Sequence, residues 1–148
     1  MHRKFLYILS FVSLTIGGFL YITYRPLGLK MFEWFKLIGA EKFIFSLRQV
    51  FSSYTPPDFF IYNLPYGLWS FSLSTFLILI WKFKFEKGLL FYLTISFCLV
   101  IGPEFLQYSK AIPGTFDIID TLTNFVCFFS PICIYHNGAK IKTFKYYF

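Results

Sequence analysis

Residues 5–24 read FLYILSFVSLTIGGFLYITY, with no charged side chain between the basic His2-Arg3-Lys4 and Arg25-Pro26. At 1.5 Å per residue such a run matches the ~30 Å hydrocarbon core of a bilayer, and the proline after it removes a helical donor and ends it. The rest of the chain agrees with this membrane reading. Its 148 residues are 57% hydrophobic and only 14% charged, against roughly 25% charged in a soluble domain. With 23 Phe, 11 Tyr and 3 Trp it carries more aromatic surface than a small water-exposed core could hide. Disorder and a free secreted globule are excluded. The basic head before an apolar stretch resembles a secretory signal, but no A-x-A-like cleavage site follows, so a retained signal anchor is expected. Cys98, Cys127 and Cys133 form no C-x-x-C pair and sit in apolar runs, where they read as small buried hydrophobes.

Three further apolar runs follow, at about 64–81, 88–107 and 117–135. The second opens on Leu64-Pro65, which suits a first helical turn, and Trp69 and Trp81 read as interfacial belt residues at its ends. In the third, Gly102-Pro103 takes the donor from the Leu99 carbonyl and predicts a kink, and Pro131 repeats the device in the fourth. The expected fold is an all-α integral membrane protein, one domain over residues 1–148 with four transmembrane helices. Its basic flanks Arg3-Lys4, Lys82, Lys84, Lys87 and Lys140, Lys142, Lys145 fall on one side, which places both termini in the cytoplasm. The stretch from Arg25 to Asn63 carries five further cations and falls outside. Within it, residues 41–53 put Phe43, Ile44, Leu47, Val50 and Phe51 on one helical arc, with Glu41, Lys42, Ser46, Arg48, Gln49 and Ser52 on the other. An outer-face amphipathic helix is expected there, lying flat on the bilayer or packed on the span ends. Tyr54-Thr-Pro-Pro-Asp58 reads as a turn. The net charge of +7 is dispersed along these borders, so the bilayer is the expected partner and nucleic acid is not.

Polar residues that interrupt the last two runs carry the functional reading. Glu104 and Gln107 are i and i+3 on one helix, and Asp117, Asp120 and Asn124 are i, i+3 and i+7 on the next. A short connection from Tyr108 to Phe116 makes the two an antiparallel hairpin with the polar faces at one depth. Ionisable groups inside a span cost about 2.5–3.5 kcal/mol each at mid-bilayer on insertion scales and are candidate site residues by default. Plainer roles exist for each. Asp117 can cap a helix, Asp120 lies in the same positive first turn, Asn124 can bridge helices, and Glu104 can face the interface. Their joint occurrence favours a site.

No histidine stands near the cluster, so triad chemistry is not expected. Clustered carboxylates suit acid/base work, proton coupling or an acid-to-amide network, with Glu104 and Asp120 the candidate acid or base. Oxygen donors also suit a divalent cation, an amine or a sugar hydroxyl, though no metal or cofactor motif accompanies them and neither is expected.

The stretch Glu104-Phe-Leu-Gln107, then Gly114-Thr-Phe-Asp117-Ile-Ile-Asp120, then Asn124, resembles the signature E-x-x-Q, loop, D-x-x-D, N of the VanZ-like family of small membrane proteins, named for a teicoplanin-resistance protein. The resemblance implies a multi-pass protein of the bacterial cytoplasmic membrane, associated in some members with glycopeptide resistance, with the five polar residues as binding positions. Many members have an arginine before the first aspartate, where this chain has Gly114-Thr115, and a glycine four residues after the asparagine, where it has Phe128. Three readings stand: binding of an envelope molecule such as a lipid-linked cell-wall component, a structural or accessory subunit whose polar cluster only holds helices together, and an acid/base enzyme acting on a lipid-linked headgroup.

Overall fold

The computed structural model describes residues 3–112 and 114–144, with side chains from Lys4 to Ile112 and from Gly114 to Tyr135. His2 and Lys145 lie outside the described residues, and Arg3, His136, Lys140 and Lys142 are described in backbone only. The chain forms α1 (Arg3–Tyr24), α2 (Lys30–Leu37), α3 (Glu41–Val50), α4 (Asp58–Tyr62), α5 (Leu64–Ile80), α6 (Lys87–Tyr108) and α7 (Ile118–Phe144), with no strand among the described residues. Three stretches, Lys4–Tyr24, Lys87–Tyr108 and Ile118–Tyr135, are long and apolar enough to cross a membrane, compatible with a membrane protein.

The fourth apolar helix, α5, is shorter at 17 residues. Helical hydrogen bonding nevertheless reaches it from α4 through Asn63. The Asn63 N–H donates to the Phe59 carbonyl at 3.1 Å and its carbonyl accepts from the Gly67 N–H at 3.2 Å. Pro65 in the first turn needs no donor, so the junction tolerates it.

α5 is the central helix, packed between α1 and α7. Small residues allow this. Against α1, Ser10 donates to the Ser72 carbonyl at 3.0 Å and Ser72 to the Ser10 carbonyl at 2.8 Å, a reciprocal pair that fixes register. Farther along, Gly17 leaves room for Trp69, since a Cβ there would stand 2.7 Å from the indole Nε1. That nitrogen donates to the Leu14 carbonyl at 3.2 Å. On the α7 side, a Cβ on Gly67 would stand 2.7 Å from Thr123 Cγ2. Between helices in lipid, close approach and interhelical hydrogen bonds replace the missing hydrophobic drive.

α6 is held differently, by rings. Phe97 meets Phe125, Phe128 and Phe129 of α7 at centroid distances of 6.0, 5.5 and 5.1 Å. Phe128, only 1% exposed, fills the space that a glycine would have closed. At the α5–α6 turn, Leu6, Ile78, Leu79, Leu89, Leu93, Phe128 and Tyr135 form an apolar core. Lys82 and Phe83 there adopt left-handed φ angles of 51° and 63°, a costly pair that Phe83 anchors by packing on Tyr135.

Several expectations change. α7 extends past Tyr135 to Phe144, while Pro103 and Pro131 lie inside α6 and α7 as read from the sequence. α7 packs more closely on α5 than on α6, because Gly67 and Ser70 admit it where the phenylalanines hold α6 off. Cys98 and Cys133 are exposed on the outside of the bundle, since an apolar run facing lipid needs no buried face. Trp69 is a packing residue between α1 and α5, drawn there by Gly17. Helix α3 ends at Val50, with Ile44 buried while Phe43 and Val50 stay exposed. Arg48, assigned to its polar arc, faces α1. Its Nε donates to the Ile22 carbonyl at 2.9 Å and its guanidinium also reaches the Arg25 carbonyl, which caps the end of α1. Burial lowers the Arg48 pKa from its ordinary value. Helix α2 has no counterpart in the sequence reading, and Phe32 joins it to Tyr21 of α1 by stacked rings 5.9 Å apart.

Candidate functional site

Where α1 and α6 end and α5 and α7 begin, the bundle opens into a cavity of about 540 Å³. Glu104, Gln107, Asp120 and Asn124 line it. Asp117, the fifth predicted residue, stands behind them at the start of α7. Its carboxylate accepts the Ile119 N–H at 2.8 Å, the geometry of an N-cap, while its own N–H donates to Glu104 at 3.3 Å. The α6–α7 loop thereby ties the two helices together. Gln107 packs on that loop at Gly114, whose φ of +137° only glycine adopts freely and where a Cβ would stand 2.5 Å from the amide nitrogen.

The end of α1, the α4–α5 junction and α5 contribute residues that the sequence reading did not assign to the site. Asn63, buried between α4 and α5, donates through Nδ2 to Asp120 at 2.9 Å and to Asp117 at 3.3 Å. It bridges two carboxylates that would otherwise repel each other. Deeper in the cavity, the Ser70 hydroxyl lies 2.8 Å from both Asn124 Oδ1 and the Tyr66 carbonyl. One hydroxyl proton serves one acceptor at a time, so turning the Asn124 amide to donate to Ser70 satisfies both. Tyr66 and Trp69 form an aromatic wall, their rings 5.7 Å apart and edge to face.

Arg25 supplies the cation. Its guanidinium sits over the rings of Tyr21, Tyr62 and Tyr66 at 5.6, 5.0 and 5.0 Å. One Nη donates to the Tyr62 carbonyl at 3.2 Å, while its buried Nε has no protein partner. Arg25 lines the same cavity as Glu104 and Asp120 yet pairs with neither, since Lys36–Glu41 at 3.9 Å is the one ion pair among the described residues. Opposite charges share one space without meeting. The sequence signal was present, because Arg25 closes an apolar run and Asn63 directly precedes Leu64-Pro65, but neither lies near the other polar residues in the chain.

Pro103 also borders the cavity beside Leu99, whose carbonyl it deprives of a donor. Among the described residues no three of His, Cys, Asp and Glu converge as a metal site requires. The cavity lining combines one cation, two acids, amides and aromatic faces. Compared with family models, curated proteins and solved structures, the chain matches none.

Proposed function

We propose that the chain is a four-span protein of the bacterial cytoplasmic membrane, of the VanZ-like type, that binds the polar part of a cell-envelope molecule in the cavity between α1, α5, α6 and α7. One observation carries this reading: Arg25 at the end of α1, Glu104 of α6 and Asp120 and Asn124 of α7 line one cavity of about 540 Å³, and no ion pair joins Arg25 to either acid. Half-buried charges cost free energy unless they are paired, and capping alone does not bring a cation and two acids from three helices to one cavity. The fourth span is α5, prolonged by α4 through Asn63 to a helical path of ~34 Å at 1.5 Å per residue. Of the two short connections, the α5–α6 turn holds Lys82, Lys84 and Lys87 and the α6–α7 loop holds Lys110, so the cavity faces outward. In that orientation α2 and α3 lie at the outer surface, with Trp34, Leu37, Phe43 and Val50 turned to lipid.

The test is glycopeptide and lipoglycopeptide susceptibility of a Gram-positive host expressing the wild type, Glu104→Gln or Asp120→Asn at matched membrane levels. Protection by the wild type that both substitutions abolish supports the reading. A wild type that gives no protection removes the link to resistance, and protection retained by both variants removes the cavity from the mechanism.

A structural role is the second reading, favoured by the internal bonds that Asn63, Asp117 and Asn124 make. It requires that Glu104→Gln and Asp120→Asn lower folded yield, whereas loss of a binding group leaves yield intact or raises it.

A further inference from the structure

Resting on the reading of the cavity as a binding site, we infer that its occupant is a glycerophospholipid whose headgroup carries both a phosphate and a primary ammonium. The phosphate lies at Arg25, the ammonium between Glu104 and Asp120, and one acyl chain in a groove between α1 and α5.

That groove, of about 460 Å³, is lined on α1 by Ser10, Phe11 and Leu14 and on α5 by Ser72, Leu73 and Phe76. Trp69 and Leu73 border both the groove and the polar cavity, so the two adjoin. The groove is apolar in effect, because Ser10 and Ser72 spend their hydroxyl protons on each other's carbonyls. Depth runs the right way. Arg25 lies at the end of α1, with Tyr21, Gly17, Leu14 and Ser10 successively deeper, so a molecule headed at Arg25 extends its tail toward the bilayer interior.

Charge selects the headgroup. An anionic headgroup without an amine would meet Arg25 but leave Glu104 and Asp120 facing it unopposed. A quaternary ammonium balances the charge yet offers no N–H to the two carboxylates, whereas a primary ammonium has three donors. Arg25 pairs with neither acid, and beyond the bonds to Tyr62, Asn63 and the Asp117 N–H one Arg25 Nη, Glu104 Oε1 and Asp120 Oδ2 are left for the two ends of a zwitterion.

The experiment is native mass spectrometry of the purified full chain with phosphatidylethanolamine, phosphatidylcholine and phosphatidylglycerol of matched acyl chains, with phosphoethanolamine as competitor. The expected result is retention of phosphatidylethanolamine over the other two by on the order of tenfold, lost in Glu104→Gln/Asp120→Asn. Leu73→Trp, which fills the shared border, is expected to weaken lipid retention in a protein of unchanged helix content. Equal retention of all three lipids overturns the inference, as does a preference for phosphatidylglycerol. Displacement by phosphoethanolamine at concentrations equal to the lipid overturns the role of the groove and points to a free zwitterion. The wild-type comparison needs no variant to fold. Absent lipid preference with protection still lost in Glu104→Gln sinks the lipid and spares the cavity; absence of both sinks the cavity reading itself.

Discussion

At the end of the bundle closed by the α5–α6 turn, Ile78, Leu79 and Leu89 are wholly buried among apolar side chains. At the opposite end the same helices surround Arg25, Glu104, Asp120 and Asn124 and leave about 540 Å³ unfilled. The first end is filled by apolar side chains and carries its lysines outside, while the second keeps half-buried charges around a cavity and joins two of its carboxylates through Asn63. The difference teaches that apolar packing and polar cavity lining are segregated along the helix axes. Substitutions at the packed end should therefore unfold the protein, and those in the cavity should not.

The strongest way to break that contrast is Leu79→Ala at the packed end. Truncating a wholly buried leucine is expected to cost about 2–5 kcal/mol, read as unfolding free energy in bicelles. A cost near zero would erase the distinction between the ends. Next comes Gly67→Ala, where the added Cβ meets Thr123 and Cys127. Overpacking there is expected to cost about 1–3 kcal/mol, with Gly18→Ala, which meets nothing within 4 Å, as the silent control. Asp117→Ala removes the cap of α7 and is expected to cost about 1 kcal/mol, with Asp117→Asn recovering most of it, by the same unfolding measurement. Ser72→Ala, which breaks half of the reciprocal pair with Ser10, is expected to cost about 0.6 kcal/mol, the average for such bonds in a membrane protein. The smallest effect belongs to Asp120→Asn. The amide oxygen still accepts from Asn63, so stability should change by no more than about 0.5 kcal/mol. A large loss there would reassign the cavity to structure.

How much of this was legible in the sequence depended on the range of the contact concerned. The apolar runs gave α1, α5 and α6 to within a few residues, because a charge or a proline stands near their ends, whereas α7 runs nine residues past the expected Tyr135, where neither marks a boundary. They did not reveal that α5 is central, since hydropathy is alike for a helix facing lipid and a helix facing its neighbours; the small residues Gly67, Ser70 and Ser72 were the missed signal. Trp69 was misplaced for the same reason. Its partner Gly17 lies on another helix, so nothing local distinguishes it from a belt residue. At the site, Glu104, Gln107, Asp120 and Asn124 stood out as polar breaks in apolar helices, and helical spacing put each set on one face. Asn63 bonds to a residue 57 positions away, and Arg25 reaches the cavity from the end of α1. Only packing could bring these two in.

The two ways of joining helices have a mechanical consequence. α1, α5 and α7 are keyed together by bonds and clefts that fit in one register only, so sliding α1 by one residue would break both serine bonds at once. α6 meets α7 through ring faces and α5 through Leu89 and Leu93, so apart from the Glu104 bond to Asp117 its register is set by shape. Glu104 stands on α6 and Arg25 at the end of α1, so the oppositely charged walls of the cavity belong to helices that are joined to the bundle in different ways.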